Sequence, residues 1–173
     1  MQTFNHSSKI IWYLFFVISG LSGLGMANIF WTNTRYLPYP YSHGYSSLTG
    51  SLVDVTNWSP SLANAAGILI SNIFDLKIWD REITEGKLLS DNMKSERFKW
   101  GEGSTPGISY YGFGIEKVVS WIGHSGLIQG YNTEIYCNPV NKMPIIVSAN
   151  SENGSPAKEA FVEFAGIMVP WGI

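Results

Sequence analysis

The stretch VVSWIGHSGLIQGYNTEIYCNPVNKMPIIVSA, residues 118–149, decides the fold class. It is rich in aromatic and β-branched residues and is broken by short turn-forming segments, a pattern typical of consecutive β-strands. With the residues just before it, it predicts four strands, at Tyr110 to Glu116, Val118 to His124, Tyr131 to Cys137 and Met143 to Ala149. The turns at Gly126–Gly130 and Asn138–Lys142 are too short for crossover helices, so they favour antiparallel neighbours.

A helix follows these strands. Ser155 and Pro156 supply an N-cap and a first-turn proline for a helix that runs to about Met168. The side chains predicted to face the sheet are Ala157, Ala160, Phe161, Phe164 and Ala165. The sequence therefore predicts an α+β fold in which an antiparallel sheet carries a C-terminal helix packed on it.

A helical region precedes the strands. Ser71 is the predicted N-cap of a helix that ends at Gly86, and Ser90 or Asp91 begins a shorter one through Phe98. The side chains predicted to share one face of the longer helix are Leu76, Trp79 and Ile83.

Composition excludes several classes of protein. Of the 173 residues, 45% are hydrophobic and 14% are charged, and the formal net charge is −2. This composition excludes a disordered polar tail and a basic nucleic-acid binder. A single cysteine, Cys137, excludes an internal disulfide and is expected to be buried. His6, His43 and His124 lack metal-ligand spacing, so we expect no metal and no cofactor.

The N-terminal residues 1–23 have the order of a secretory signal. Polar residues with one cation, Lys9, precede the apolar run from Ile10 to Ile18, and small residues follow. The run is shorter than the ~20 residues that span a bilayer, so an uncleaved membrane anchor is the second choice. A buried helix or strand is the alternative. A signal predicts a periplasmic or secreted protein, and an anchor predicts association with the membrane.

Seven short motifs occur in an order that is similar to one known family. They are Pro-Tyr-Ser-His-Gly-Tyr (40–45), Asp-Val-Thr-Asn-Trp-Ser-Pro-Ser (54–61), Ala-Ala-Gly-Ile-Leu-Ile-Ser (65–71), Asp-Leu-Lys-Ile-Trp (75–79), Gly-Lys-Leu-Leu-Ser (86–90), Tyr-Gly-Phe-Gly-Ile (111–115) and Gly-His-Ser-Gly (123–126). The chain resembles the serine β-lactamase-related family, in its branch of class C β-lactamases and D-alanyl-D-alanine carboxypeptidases. The resemblance covers residues 24–173 and only the C-terminal half of the family's domain, so it implies a partial β-lactamase/DD-peptidase-like fold.

The resemblance implies acyl-enzyme hydrolysis of peptide or β-lactam carbonyls. The family's nucleophile lies in Ser-x-x-Lys and its proton relay in Tyr-x-Asn, both upstream of the matched region. The chain contains Ser155-Pro-Ala-Lys158 and Tyr136-Cys-Asn138, which we assign to a helix N-cap and a strand end. We therefore expect a truncated member that is inactive alone.

His124-Ser125-Gly126 resembles the family's Lys-Thr-Gly or His-Thr-Gly triplet on an inner strand. The resemblance implies that His124 supplies a positive partner, that Ser125 donates to a substrate carboxylate, and that Gly126 allows close approach. The N–H of Leu127 would be one of two oxyanion donors. The alternative for His124 is a strand-end histidine held by local hydrogen bonds.

His43 and Asp54 are candidates for a Ser-His-Asp catalytic triad, but the sequence contains no Gly-x-Ser-x-Gly motif to supply the nucleophilic serine. A loop histidine satisfied by the backbone is the preferred interpretation.

A noncatalytic binding protein is the alternative function. The resemblance implies that the strand Met143 to Ala149 normally pairs with an N-terminal strand absent here, so its edge would lie open. Such a protein would use this edge or the cleft to bind a partner, and the edge could also mediate self-association.

Overall fold

A computed structural model of the chain describes residues 20–31, 34–58, 66–67, 69–103 and 105–168. The predicted signal or anchor run, Ile10 to Ile18, lies outside these residues. None of the helices described is long and apolar enough to cross a membrane.

The main sheet has six antiparallel strands in the order β10-β9-β8-β7-β6-β5. Its strands are β5 (Gly101–Glu102), β6 (Ser109–Tyr111), β7 (Glu116–Val118), β8 (Trp121–Ile128), β9 (Tyr131–Cys137) and β10 (Pro144–Ala149). Two small two-stranded sheets pair β1 (Phe30–Trp31) with β4 (Leu69–Ile70) and β2 (Tyr45–Ser46) with β3 (Val53–Asp54). The predicted α+β fold with an antiparallel sheet is confirmed.

Two of the predicted strands are wrong in their bounds. The segment Tyr110 to Glu116 is divided by a turn between β6 and β7, where Gly114 has φ +64°. The segment Val118 to His124 is divided by a two-residue turn that contains Val119 at φ +53°. A β-branched residue rarely adopts positive φ, so the sequence carried no turn signal at Val119.

The predicted turn at Gly126–Gly130 is also too long. Strand β8 continues to Ile128, and only Gln129 and Gly130 form the turn, with Gly130 at φ +83°. As a consequence, Ser125, Gly126 and Leu127 lie within a strand.

Three helices with given bounds accompany the sheets in the described part of the chain, namely α1 (Ile73–Glu85), α2 (Asp91–Arg97) and α3 (Pro156–Met168). Helix α1 ends at Gly86 in the left-handed conformation, and Ser90 caps α2, both as predicted. The predicted cap Ser71 is wrong, because the Asn72 side chain accepts from Phe74 N–H and Asp75 N–H.

The core lies between the sheet and α3. Trp121, Tyr136, Ile145, Phe161 and Ala165 form one buried cluster. The Phe161 ring stacks on Tyr136 with centroids 4.4 Å apart and meets the edge of Trp121 at 6.0 Å.

Helix α1 contacts β8, β9 and β10 from the other face of the sheet, where buried Cys137 lies beside Asp80. Of the predicted face of α1, only Ile83 is fully buried. Three carboxylates, Asp75, Asp80 and Glu82, are buried with it. Asp75 accepts from Asn28 N–H at 2.6 Å and Glu82 from Leu88 N–H at 2.6 Å, so two of the three tie loops to the helix.

Candidate functional site

Strand β8 extends beyond its neighbour β7. Strand β7 pairs only with Trp121–Gly123, whereas β9 pairs with β8 as far as Ile128. Among the described residues, the segment 124–128 therefore has a strand partner on one side only. His124, Ser125, Gly126 and Leu127 are exposed there, and 56% of Leu127 is accessible. We call residues 124–128 the open edge of β8.

The hydrogen-bonding pattern shows which backbone groups face this open edge. Asn138 N–H donates to Met143 O, so on β9 the even-numbered residues direct their backbone groups to β10 and the odd-numbered residues to β8. His124 and Gly126 are opposite Ile135 and Thr133, and they use their backbone groups toward β9. Ser125 and Leu127 consequently direct their N–H and C=O groups to the open edge.

Both ring nitrogens of His124 have partners. Nδ1 lies 2.5 Å from Ser125 O, and because a carbonyl only accepts, Nδ1 carries the hydrogen. Nε2 lies 2.6 Å from the Tyr111 hydroxyl, which donates to it when the ring is neutral. Hydrogen bonds within the protein hold the ring, as in the alternative interpretation, but His124 lies inside β8 and not at a strand end. A substrate group would have to displace Tyr111 to reach Nε2.

Behind Ser125 lies a cluster of buried polar side chains. Ser125 is directly opposite Glu134, which is 2% exposed, and burial raises the pKa of Glu134 to about 7. The Tyr136 hydroxyl donates to Glu116 at 2.7 Å, and burial followed by the bond to Glu116 raises the Tyr136 pKa, while a bond with Ser125 opposes the shift. Ser125 therefore contacts a phenol that is already bound to a carboxylate.

His43 pairs with a side chain and not with the backbone, so the interpretation as a backbone-satisfied loop histidine is wrong. Its Nδ1 lies 2.7 Å from Asp54 Oδ2. Hydrogen bonds from Thr56, followed by the one from His43, lower the pKa of Asp54 to about 2. The pair is exposed and joins the loop before β2 to β3.

The two chance matches to family motifs have structural roles. Ser155 has φ +55°, and its carbonyl accepts from Lys158 N–H at the start of α3. The hydroxyl of Tyr136 is buried against Glu116, and Asn138 organises the turn after β9 by accepting from Val140 N–H. No group of three potential metal ligands occurs within the part of the chain that the structure describes.

Sequence reasoning missed two residues of this site, Tyr111 and Asn132. Tyr111 lies in the quoted Tyr-Gly-Phe-Gly-Ile motif but is 13 positions from His124. Asn132 is opposite Leu127, and its side chain donates to Gly126 O at 3.0 Å. Only the strand register brings either residue to β8, and the misplaced strand bounds hid that register.

Comparison with known proteins places this geometry in a family. The Beta-lactamase family model matches residues 21–164. A D-stereospecific amidohydrolase from Streptomyces sp. is similar with a TM-score of 0.75 and 25% identity, over 84% of this chain and 46% of that chain.

Two further solved structures share the fold. A D-amino acid amidase from Ochrobactrum anthropi SV3 has a TM-score of 0.69 and 20% identity, over 86% of this chain and 50% of that one. A penicillin binding protein from Bacillus halodurans has a TM-score of 0.64 and 19% identity, over 83% of this chain and 46% of that chain. The chain thus spans about half the length of the structures it matches. Because the family model covers most of its residues, the chain belongs to the Beta-lactamase family, a family of serine hydrolases.

Proposed function

We propose that these 173 residues form the substrate-binding half of a penicillin-recognising serine hydrolase site, and that the open edge of β8 binds a peptide-like or β-lactam carbonyl compound. One observation carries the proposal, namely that Ser125 and Leu127 present backbone N–H and C=O groups to an edge with no neighbouring strand among the described residues. The similar fold of a D-amino acid amidase, solved with D-phenylalanine and with L-phenylalanine amide, supports small amino-acid amides as ligands.

The binding mode follows from the strand geometry. An extended ligand lies along 124–128 as an added strand, and its carbonyl oxygen accepts from Leu127 N–H while its N–H donates to Leu127 O. A preorganised N–H aimed at a developing oxyanion contributes about 10²–10³ in rate when it belongs to a complete oxyanion hole. The exposed Leu127 side chain forms an apolar wall beside this position.

The chain by itself is proposed to bind without acylation. By resemblance, the family's nucleophile and its N–H, the second oxyanion donor, lie upstream of the segment that carries the motifs found here. Ser155, which has the family's spacing to a lysine, lies at the start of helix α3, and we do not propose it as a nucleophile.

Labelling with a fluorescent penicillin tests this proposal. We expect no covalent label after denaturing electrophoresis, together with a thermal midpoint that rises on addition of N-acetyl-D-alanyl-D-alanine, since a ligand that binds only the folded state stabilises it. A covalently labelled serine contradicts the inactivity, and an unchanged midpoint at millimolar peptide contradicts the binding. N-acetyl-L-alanyl-L-alanine serves as the control for stereochemistry.

A D-alanyl ligand would occur in the bacterial envelope. We propose that Ile10 to Ile18 directs the chain there as a signal or an anchor. Cell fractionation and N-terminal sequencing of the mature protein test this. A chain found in the cytoplasm with Met1 or Gln2 intact contradicts it.

A second candidate function is association through β10. Its outer edge has no partner among the described residues, and Ile145–Ala149 contains no charged residue to block pairing. Ser148 is exposed there, so Ser148→Lys should abolish edge-mediated self-association in size-exclusion chromatography, whereas Ser95→Lys on exposed α2 should not. A wild-type protein that stays monomeric contradicts this candidate.

A further inference from the structure

Asn132 joins the open edge of β8 to helix α3. Its Oδ1 accepts from Ala157 N–H at 2.9 Å and from Lys158 N–H at 3.4 Å, and its Nδ2 donates to Gly126 O at 3.0 Å. The side chain is 2% exposed. Backbone N–H groups only donate, so Oδ1 must face the helix, and Nδ2 must then face Gly126.

The Gly126 carbonyl and the Leu127 N–H belong to one planar trans peptide, so they point in opposite directions. A bond that holds Gly126 O on the β9 side therefore holds Leu127 N–H toward the open edge. Gly126 itself tolerates many backbone conformations. On the β9 side, the ladder bond from Thr133 N–H also holds Gly126 O, so the Asn132 bond reinforces it. On the other side, no strand among the described residues pairs with this peptide.

We infer that Asn132 is a positioning residue, which uses the first turn of α3 as a fixed support to aim the Leu127 N–H at the ligand. This inference rests on the proposed function for its ligand, but the orientation of the peptide is a property of the free protein. Asn132 acts through Gly126 and does not touch the ligand.

Two substitutions separate positioning from helix capping. Asn132→Asp keeps two acceptor oxygens for Ala157 and Lys158 and removes the Nδ2 donor. Asn132→Ser also removes the Nδ2 donor and leaves a shorter, uncharged hydroxyl. The matched control is Asn138→Asp, because Asn138 is 3% exposed and lies at the other end of β9, where its Oδ1 accepts from Val140 and Asn141 N–H.

The first readout is the backbone order parameter of Leu127 N–H in the ligand-free chain, measured by NMR relaxation. We expect a value of about 0.85 in the wild type and in Asn138→Asp, and a measurably lower value in both Asn132 variants, in which only the ladder bond from Thr133 still holds Gly126 O. Circular dichroism identifies variants that remain folded. A folded Asn132 variant with an unchanged Leu127 order parameter overturns the inference.

The second readout is the affinity for N-acetyl-D-alanyl-D-alanine, expected to be roughly tenfold weaker in both Asn132 variants, which corresponds to one well-placed hydrogen bond. Unchanged affinity in Asn132→Asp also overturns the inference. If the wild type binds no peptide, the proposed function fails, while the order parameters still decide whether Asn132 orients the peptide.

Discussion

Asp80 is the most deeply buried acidic side chain that the structure describes, at 1% exposed. Its Oδ1 has no hydrogen-bond partner among the described residues. Burial raises its pKa from 3.8 to about 6, against the weaker opposing effects of Cys137 and Arg81. An ionised Asp80 therefore destabilises the fold at neutral pH.

Replacing Asp80 by asparagine should stabilise the protein above pH 6. The folded-state pKa is higher than the unfolded one, so stability falls as the pH rises from about 4 to 6 and stays lower above that. Asp80→Asn removes this fall and should gain about 1–3 kcal/mol at pH 7.5, with little gain at pH 4. Urea unfolding at both pH values measures the difference.

Asp91→Asn is the control, because the side chain of Asp91 is fully exposed at the start of α2. It should show no pH-dependent gain in stability. If Asp80→Asn behaves like Asp91→Asn at pH 7.5, the destabilising role of the buried carboxylate is wrong.

Single residues were predictable where a motif lies within a few positions of the chain. The turn of Gly86 and the cap Ser90 are confirmed. His124, Ser125 and Gly126 could be proposed as a substrate-binding triplet because they are consecutive, and that role stays a prediction. Tyr111 and Asn132 could not, since their contacts with His124 and Gly126 depend on strand register. The sequence suggested Asp54 as a partner of His43 only within a catalytic triad, which was set aside, whereas the pairing of β2 with β3 brings the two side chains together.

At the scale of elements, the start of α1 is fixed by one side chain. Asn72 accepts from two amides of the first turn, whereas the hydroxyl of Ser71 is buried with no partner among the described residues. Asn72→Ala should therefore cost about 1 kcal/mol of unfolding free energy. Ser71→Ala should be neutral or slightly stabilising, because it removes a buried unsatisfied group. Equal losses in urea denaturation would restore Ser71 as the cap.

Proline substitutions can distinguish the N–H groups of β8 that face the open edge from those that bond to β9, because proline has no backbone N–H. Leu127 N–H faces the open edge, so Leu127→Pro should remove peptide binding at a small cost in stability. Ile128 N–H faces β9, opposite Tyr131, so Ile128→Pro should cost about 1–3 kcal/mol more. Chemical denaturation and peptide titration measure the two effects. A larger loss of stability in Leu127→Pro contradicts the assigned directions.

Elements with clear end signals were predicted well, and strands without them were not. Helix α3 begins at Pro156, as Ser155-Pro156 indicated, and is described as far as Met168, although Asn132 supplies the accepting oxygen at its start. Strand β8 was expected to end before Gly126, because glycine favours turns, yet Gly126 lies within the strand. Val119 lies in a turn that contains no glycine or asparagine, so the sequence had no turn signal there.

At the scale of the whole molecule, α1 and α3 cover opposite faces of the sheet, and β8 extends past β7 from His124 to Ile128. The chain spans about half the length of similar solved structures. The ordered motifs identified this family, and the family model confirms it. In the proposed account, the fold holds the open edge of β8 in a conformation that can bind a ligand.

The most direct test of that account is an NMR titration of the isotopically labelled chain with N-acetyl-D-alanyl-D-alanine, in which each backbone amide is followed. The amides of Ser125 and Leu127 should shift most, and those of His124 and Gly126 should shift little, because they face β9. Saturable shifts that alternate in this way are the predicted result. Shifts confined to β10, or no shifts at millimolar peptide, would contradict the claim that the open edge of β8 is the binding site.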